Sequence, residues 1–192
     1  MCIRDRVRAM FFIPNIVSAV LVSFIWVFIF TNAMPALGGV LGWDWLANIS
    51  WFGTPSMATV TIIVVSIWQN IGFLMIIYTA GLQTIPKDVM ESAELDGCSG
   101  LKKVLKIELP LLMPTVTINL FVSISGAFKS FDIPNAMTGG GPYGSTMPVA
   151  MNIYQEAFTK YNLGYGSAKS VILFLTVAAV TLIQLYLSLI HI

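Results

Sequence analysis

Long apolar blocks alternate with shorter polar ones along this chain. Four runs contain no charged residue and are each about as long as the ~20 residues that a helix needs to cross a hydrocarbon core; they cover residues 11–30, 57–82, 109–128 and 171–190. Helices are predicted, because lipid offers the backbone no hydrogen-bond partner and these runs are too long and continuous for barrel strands. The pattern therefore predicts an all-α fold, a polytopic membrane helical bundle with about four spans present.

The polar segment between the second and third runs has the pattern of two short helices joined by a turn. Pro86 suits the first turn of a helix, and Glu91 places negative charge toward the positive end of that helix. Gly97 can adopt a positive φ and end the helix, after which Ser99 is the expected cap of a second one. We call residues 83–109 the elbow.

The second helix of the elbow is amphipathic. One face is apolar and consists of Leu101, Val104 and Leu105. The other face is basic and consists of Lys102, Lys103 and Lys106. Pro110 disfavours helical geometry in the residue before it, so the helix is expected to end there. Ser92 and Ala93 are expected to give the first helix an approachable surface. Two interpretations stay open: the elbow docks in a groove of a soluble protein, or it lies on lipid with its lysines near anionic headgroups.

Composition supports a membrane protein and excludes several other classes. The chain is 57% hydrophobic and only 10% charged, whereas about 25% of the residues of a soluble domain are charged. A formal net charge of +1 gives no general attraction to nucleic acid. Cys2 and Cys98 form no spaced pair or ligand cluster, so neither a disulfide framework nor a metal site is predicted.

The distribution of basic residues predicts how the chain is oriented. Five basic residues flank the first span or lie in the elbow, and three lie in the other compartment's segments; they are Arg8, Lys87, Lys102, Lys103 and Lys106, against Lys129, Lys160 and Lys169. By the positive-inside rule the elbow is cytoplasmic. Trp43, Trp45 and Trp51 lie between the first two spans, where they suit the outer interface as anchors.

Residues 131–170 form a long outer connection. TGGGP at residues 138–142 predicts a tight turn that tolerates left-handed backbone, and NIYQEAF at residues 152–158 has helical spacing. A phosphate-binding role for the glycines is disfavoured, because no Lys-Ser/Thr pair follows them. The chain contains no Walker A sequence, so ATP, if used, is bound by another subunit.

Among the neutral polar residues of the apolar runs, five are candidates for a substrate path: Gln69, Asn70, Asn119, Ser123 and Ser125. Amides and hydroxyls suit a substrate with many hydroxyl groups, yet in spans they also serve as hydrogen bonds between helices. Both roles stay open. The runs contain no mid-span acid, base or histidine of the kind expected in a proton-coupled carrier.

The elbow resembles the EAA loop of permease subunits of bacterial ABC importers. The resemblance rests on Glu91-Ser92-Ala93, Gly97, Ile107 and Leu109-Pro110, with a serine replacing the usual second small residue. Further similar stretches extend over nearly the whole chain and point to the maltose-type and glycerol-phosphate-type carbohydrate branch; they are FFIPN at 11–15, AGLQTIP at 80–86, FDIPNAMTGGGPYGST at 131–146, NIYQEAF at 152–158 and GYGSAKSVILF at 164–174.

This resemblance implies a multi-pass subunit of the bacterial cytoplasmic membrane, without its own ATPase site or cofactor, that moves carbohydrate by alternating access. It implies ABC ATPase subunits that bind ATP and Mg, a second permease subunit and an extracytoplasmic solute-binding protein as partners. The implied coupling residues are Glu91, Ser92, Ala93, Asp96, Gly97, Ile107, Leu109 and Pro110. Glu91 is expected to make an ionic contact with the ATPase.

The resemblance also implies six spans, of which four are recognised here. Residues 1–7 and 188–192 resemble sequence carried over from assembly, and residues 8–187 are expected to be a partial ABC transmembrane domain. Two other functions remain alternatives on sequence grounds: a secondary transporter or channel, and a membrane scaffold that recruits a cytosolic partner without transporting anything.

Overall fold

The computed structural model describes residues 3–191, and the side chains of residue 6 and residues 8–188. Met1, Cys2 and Ile192, which belong to the terminal segments set apart above, lie outside the described residues. The regular structure of the described residues is helical, with connecting turns and loops. The α-helices are α1 Ile3–Ile16, α2 Ala19–Phe28, α3 Met34–Leu41, α4 Asp44–Asn48, α5 Pro55–Gln83, α6 Lys87–Leu95, α7 Leu101–Lys103, α8 Leu109–Leu111, α9 Met113–Phe128, α10 Asp132–Thr138, α11 Val149–Tyr154 and α12 Leu163–His191. Three π turns join neighbouring helices, at Ile29–Ala33, Val104–Glu108 and Gln155–Thr159. The predicted all-α fold is confirmed.

The candidate spans differ from the predicted runs mainly at their ends. Three helical segments of the described chain are long and apolar enough to cross a membrane: Ala19–Leu41, Pro55–Gln83 and Leu163–Ser188. A fourth crossing is present if the bent pair Leu101–Leu111 and Met113–Phe128 is one span. This agrees with the prediction of about four spans.

The first span was predicted at residues 11–30, and this register is wrong. The helix breaks at Ser18, whose backbone is extended (φ −53°, ψ 135°), and the span begins at Ala19. It then continues past Phe30 through two polar residues. Thr31 Oγ1 donates to the Val27 carbonyl oxygen at 2.7 Å, and Asn32 Nδ2 donates to Thr31 Oγ1 at 2.8 Å. Because these polar groups bond within the helix, they do not end it.

The chain divides into two compact units. The first, residues 3–72 and 128–173, has a core formed by Val22, Phe30, Val65, Ile133 and Met137. Aromatic rings surround Phe30: the Trp26 ring lies 5.2 Å from it and the Trp51 ring 4.9 Å from it. Trp51 therefore packs in this core and is not a free interfacial anchor as predicted, whereas Trp43 and Trp45 are exposed.

The second unit, residues 73–127 and 174–191, is held together by close backbone approach and by polar contacts. Gly81 of α5 lies against the Thr115 side chain of α9, which leaves no room for a Cβ. Thr117 Oγ1 and Ser188 Oγ are 2.7 Å apart, and Gln184 Nε2 donates to the Thr117 carbonyl oxygen at 3.1 Å. These contacts join α9 to α12 by the interhelical bonds typical of membrane bundles.

Candidate functional site: the elbow and the polar positions of the spans

The first arm of the elbow, α6, ends in a Schellman motif. Gly97 has a φ of +75°. Its N–H donates to the Glu94 carbonyl oxygen at 3.0 Å, and the Cys98 N–H donates to the Ala93 carbonyl oxygen at 2.9 Å. This pattern of two bonds around a left-handed residue satisfies carbonyl groups at the helix end. The predicted role of Gly97 as the turn is confirmed.

The second arm of the elbow is the helical segment Leu101–Leu111, and it begins differently from the prediction. Ser99 was expected to cap it, but the helix starts at Leu101 and the capping position belongs to Gly100, which has a φ of +60° and offers no side chain. Two glycines with positive φ, Gly97 and Gly100, thus produce the reversal between the arms. An ordinary side chain is disfavoured in this conformation, which explains why glycine rather than a capping serine occupies the position.

An ion pair joins the two arms across the turn. Lys103 Nζ donates to Glu94 Oε1 at 2.7 Å. Glu94 stays largely exposed, while the lysine side chain is mostly covered. The hydrogen bond from Lys103, followed by its positive charge, holds the pKa of Glu94 below its ordinary value. Lys103 therefore does not share one solvent face with Lys102 and Lys106, as its spacing suggested.

The residues at the centre of α6 differ in what they offer a partner. Glu91 and Ser92 are exposed, and Ser92 Oγ donates to the Asp88 carbonyl oxygen at 2.8 Å within the helix. Ala93 was expected on the approachable surface and is instead buried, at 5% exposure. Its carbonyl oxygen accepts the Cys98 N–H of the chain reversal at 2.9 Å. Asp96, the last residue before the turn, is exposed.

The end of the second arm also differs from the prediction. Helical backbone was expected to stop before Pro110, yet it continues to Leu111. The π turn Val104–Glu108 lies directly before Pro110, and the Leu109 N–H bonds to the Val104 carbonyl oxygen, five residues back. Such a wider turn accommodates a residue that has no N–H and that crowds the carbonyl group four residues earlier. Ile107 is half-buried, whereas Leu109 and Pro110 are exposed.

The elbow leads into a bent span. The axes of Leu101–Leu111 and Met113–Phe128 differ by 69°, and the break lies at Leu112. Pro114 is the second residue of α9, where its missing N–H donor is tolerated. The second arm and α9 are thus two stiff segments that meet at one residue.

The polar residues of the spans fall into two groups. Gln69 and Asn119 are buried and bond to backbone outside their own helices. Gln69 Nε2 donates at 3.2 Å to the carbonyl oxygen of Val17, in the break between α1 and α2, and Asn119 Nδ2 donates at 3.4 Å to the Leu74 carbonyl oxygen of α5. Asn119 Oδ1 is buried without a partner among the described residues. Asn70 and Ser123 are exposed and Ser125 is half-exposed, with Asn70 Nδ2 donating to its own helix at the Ser66 carbonyl oxygen.

A charged cluster in the outer connection was not predicted. Glu156 is buried, and its Oε1 lies 2.9 Å from Lys160 Nζ and 3.5 Å from Lys169 Nζ. Lys169 Nζ also donates to Asn152 Oδ1 at 2.7 Å. The hydrogen bond from Lys160 holds the pKa of Glu156 below its ordinary value, although burial acts in the opposite direction. The spacing of Glu156 and Lys160, four residues apart on a helix, was a readable signal for half of this cluster.

Comparison with known proteins identifies similar chains. Residues 3–190 match the family profile of the binding-protein-dependent transport system inner membrane component. The chain is 34% identical to the probable starch degradation products transport system permease protein AmyD of Thermoanaerobacterium thermosulfurigenes, over 96% of this chain and 63% of that protein. It is 32% identical to the trehalose/maltose transport system permease protein MalF of Thermococcus litoralis, over 95% of this chain and 61% of that protein.

Solved structures show the same fold. A bacterial ABC transporter involved in the import of the acidic polysaccharide alginate superposes with a TM-score of 0.86 at 20% sequence identity, covering 96% of this chain and 65% of that one. A bacterial alginate ABC transporter in complex with an alginate pentasaccharide-bound periplasmic protein superposes with a TM-score of 0.85 at 21% identity. This chain spans a little over 60% of the length of the two permease proteins, AmyD and MalF.

Proposed function

Because the chain belongs to the inner membrane components of binding-protein-dependent transport systems, we propose that it is a transmembrane subunit of an ATP-driven importer of carbohydrates. The substrate class is a sugar, an oligosaccharide or a glycerol-phosphate-like solute. Its relatives are named for starch degradation products, for trehalose and maltose, and for sn-glycerol-3-phosphate. The proposed partners are two ATPase subunits that bind ATP and Mg, a second permease subunit and an extracytoplasmic solute-binding protein.

The observation that carries this proposal is the elbow. Its two arms are fixed to each other by the Gly97 turn and by the Lys103–Glu94 ion pair, and its second arm continues into the bend at Leu112. A push on α6 from a soluble subunit is therefore transmitted to the second arm instead of being lost in a flexible loop. We expect the second arm to pass this movement to α9 through the bend.

Glu91 is the proposed ionic contact with the ATPase, because it is exposed at the middle of α6 and, unlike Glu94, is not paired with Lys103. Ser92, Asp96 and Gly97 are also exposed and are proposed to belong to the same contact surface. Ala93 supports this surface from below because it is buried. Ile107, Leu109 and Pro110 shape the second arm that follows.

The polar residues of the spans divide into different proposed roles. Gln69 and Asn119 join parts of the fold that are distant in sequence, because their amides donate to the backbone carbonyl groups of Val17 and Leu74. Asn70, Ser123 and Ser125 keep exposed or half-exposed polar groups. These three are the candidates for contact with the hydroxyl groups of a sugar.

The test is transport by the whole assembly that contains this chain, reconstituted in liposomes with ATP inside and the solute-binding protein outside. We expect ATP-dependent accumulation of at least one labelled solute among maltodextrins, trehalose and sn-glycerol-3-phosphate. Glu91→Lys is expected to uncouple ATP hydrolysis from uptake, because it reverses the charge at the proposed contact, so that less solute is taken up per ATP hydrolysed by the assembly. Asp44→Lys, the same charge change at an exposed residue of α4, is the control and is expected to transport normally. Uptake that persists without ATP would indicate a secondary transporter and overturn the proposal.

A further inference from the structure

Two tyrosines of the outer connection have unusual backbone geometry. Tyr143 has a φ of +55° and Tyr161 a φ of +57°, and they are the two non-glycine residues with positive φ in the part of the chain that the structure describes. Bulky residues rarely adopt this conformation, which glycine adopts without strain. Both side chains nevertheless project almost entirely into the surroundings, with exposures of 97% and 85%.

The loop that holds Tyr143 is tightly bonded beneath it. Thr146 is buried, and its Oγ1 donates to the Gly141 carbonyl oxygen at 2.6 Å and lies 2.7 Å from Thr138 Oγ1. On the other side of the tyrosine, the Ser145 N–H and Oγ both donate to the Pro142 carbonyl oxygen, at 3.0 and 2.7 Å. These bonds fix the backbone on both sides of Tyr143 and so the direction in which its side chain leaves the loop.

The loop that holds Tyr161 is fixed by the Glu156 cluster. The residue before the tyrosine, Lys160, pairs with buried Glu156 at 2.9 Å. The residue after it, Asn162, donates its N–H to the Glu156 carbonyl oxygen at 2.9 Å and accepts a bond from the Gly166 N–H at 2.9 Å. Tyr161 occupies a left-handed position at a helix end, where glycine or asparagine is usual. The strained backbone of Tyr161 thus carries an exposed ring that contributes nothing to the core.

We infer that Tyr143 and Tyr161 are anchor residues on which the solute-binding protein docks. This inference rests on the proposed function. Strain that the surrounding structure must overcome is typical of binding and catalytic sites. Tyrosine supplies a large, amphipathic contact area at low entropic cost, and it is enriched among the residues that dominate protein interfaces. A loop backbone that is already fixed before binding loses less freedom on binding, which increases affinity.

A protein partner fits these residues better than lipid headgroups. Tyrosine also lines the membrane interface, but an interfacial anchor needs only an amphipathic ring and no fixed backbone geometry. The proposed orientation places the elbow in the cytoplasm, and one crossing between the elbow and residue 131 puts both tyrosines outside. The family is dependent on a binding protein, which reaches the membrane from that side. The alginate ABC transporter that shares this fold was solved in complex with a periplasmic protein.

The test is the affinity of the solute-binding protein for the assembled transporter in nanodiscs, together with the ATPase activity that this protein stimulates. Tyr143→Gly and Tyr161→Gly remove the rings and keep the left-handed backbone. Each is expected to weaken binding about tenfold or more and to reduce stimulated ATPase activity, with basal activity unchanged. The control is Tyr186→Ala, which removes a 67% exposed ring from α12 without placing a glycine in a helix. It is expected to change neither the affinity for the binding protein nor the stimulated ATPase activity.

Three outcomes separate this inference from the proposed function. Wild-type stimulation with unchanged affinity in both glycine variants would overturn the inference and leave the importer standing. Reduced membrane insertion or subunit assembly with unchanged affinity would also overturn it and assign the rings to lipid or to the second permease. No stimulation of the wild-type assembly by the binding protein would remove both the inference and the proposed function.

Discussion

Lys103 Nζ lies 2.7 Å from Glu94 Oε1, so an ion pair closes the elbow across the turn at Gly97. The two residues belong to different helical arms, and the contact fixes how the second arm leaves the first. For the coupling role proposed above, this contact holds α6 and the second arm together, so that they are expected to move as one unit.

The first prediction concerns the protonation of Glu94. Lys103 lowers its pKa from the ordinary value of 4.5. A carboxyl group whose folded-state pKa is lowered stabilises the fold above its unfolded pKa, and this contribution is lost as the pH falls through the folded value. The pair is therefore expected to hold at neutral pH and to open only in acid, below about pH 4.5. Carbon-13 NMR of the Glu94 carboxyl group in the detergent-solubilised chain measures this titration directly.

Lys103→Gln is expected to raise the pKa of Glu94 toward its ordinary value, because it removes the charge and weakens the hydrogen bond. Lys102→Gln, the same change at an exposed neighbour, is the control and is expected to leave that pKa where it is. An identical titration curve for Glu94 in wild type and Lys103→Gln would show that the ion pair does not form in solution.

The second prediction concerns the turn itself. Gly97→Ala places a Cβ in a left-handed conformation, which costs about 1–2 kcal/mol, although nothing lies within 4 Å of the added atom. The strain is expected to move the second arm and to lower solute uptake per ATP hydrolysed in the reconstituted assembly. Gly126→Ala is the matched control, since Gly126 lies in α9 with no positive φ and no neighbour within 4 Å. Equal coupling ratios in the two variants would argue against a rigid elbow.

The elbow shows what the sequence does and does not predict. The position of the turn was predictable because Gly97 is followed by an amphipathic pattern, and only glycine takes its conformation without strain. The helix across Pro110 was not predictable, because the wider turn before it depends on how the backbone relieves a local conflict. The burial of Ala93 was not predictable either, because it depends on tertiary packing that a local pattern does not contain.

The partners of polar side chains in the spans were also not predictable from the sequence, because they are distant along the chain. Gln69 and Asn119 were identified as candidates for interhelical bonds, yet their partners, the carbonyl groups of Val17 and Leu74, lie 52 and 45 residues away in sequence. Backbone acceptors leave no trace in the pattern of side chains. The Glu156–Lys160 spacing was readable, whereas the approach of Lys169 from α12 required the fold.

The third prediction separates the two buried amides. Gln69 donates to Val17 at 3.2 Å, next to the extended residue Ser18, where the helix breaks. Gln69→Leu is expected to destabilise the chain by about 1 kcal/mol, because it leaves a carbonyl group at the break without this donor. Asn119→Leu is expected to cost less or to stabilise, since its bond to Leu74 is long at 3.4 Å and its Oδ1 is buried without a partner among the described residues.

Unfolding of the purified chain by added sodium dodecyl sulfate in mixed micelles, followed by circular dichroism, compares the two variants. A larger loss of stability for Asn119→Leu than for Gln69→Leu would contradict this assignment. It would indicate that Asn119 Oδ1 has a donor, such as a buried water molecule, in the protein in solution.

The fourth prediction concerns the approach of α1 to α5 within the first unit. Gly72 faces the backbone of Phe11 and Phe12, and a Cβ added there would overlap the Phe11 carbonyl oxygen. Small residues at such a position let two helices approach closely in a membrane. Gly72→Ala is therefore expected to push the helices apart and to destabilise the chain by about 1–3 kcal/mol, as overpacking does. Gly39→Ala, in α3 with nothing within 4 Å of the added atom, is the control and is expected to be neutral or slightly stabilising. The same detergent titration measures both variants, and equal midpoints would mean that α1 does not pack on α5 as closely as the structure shows.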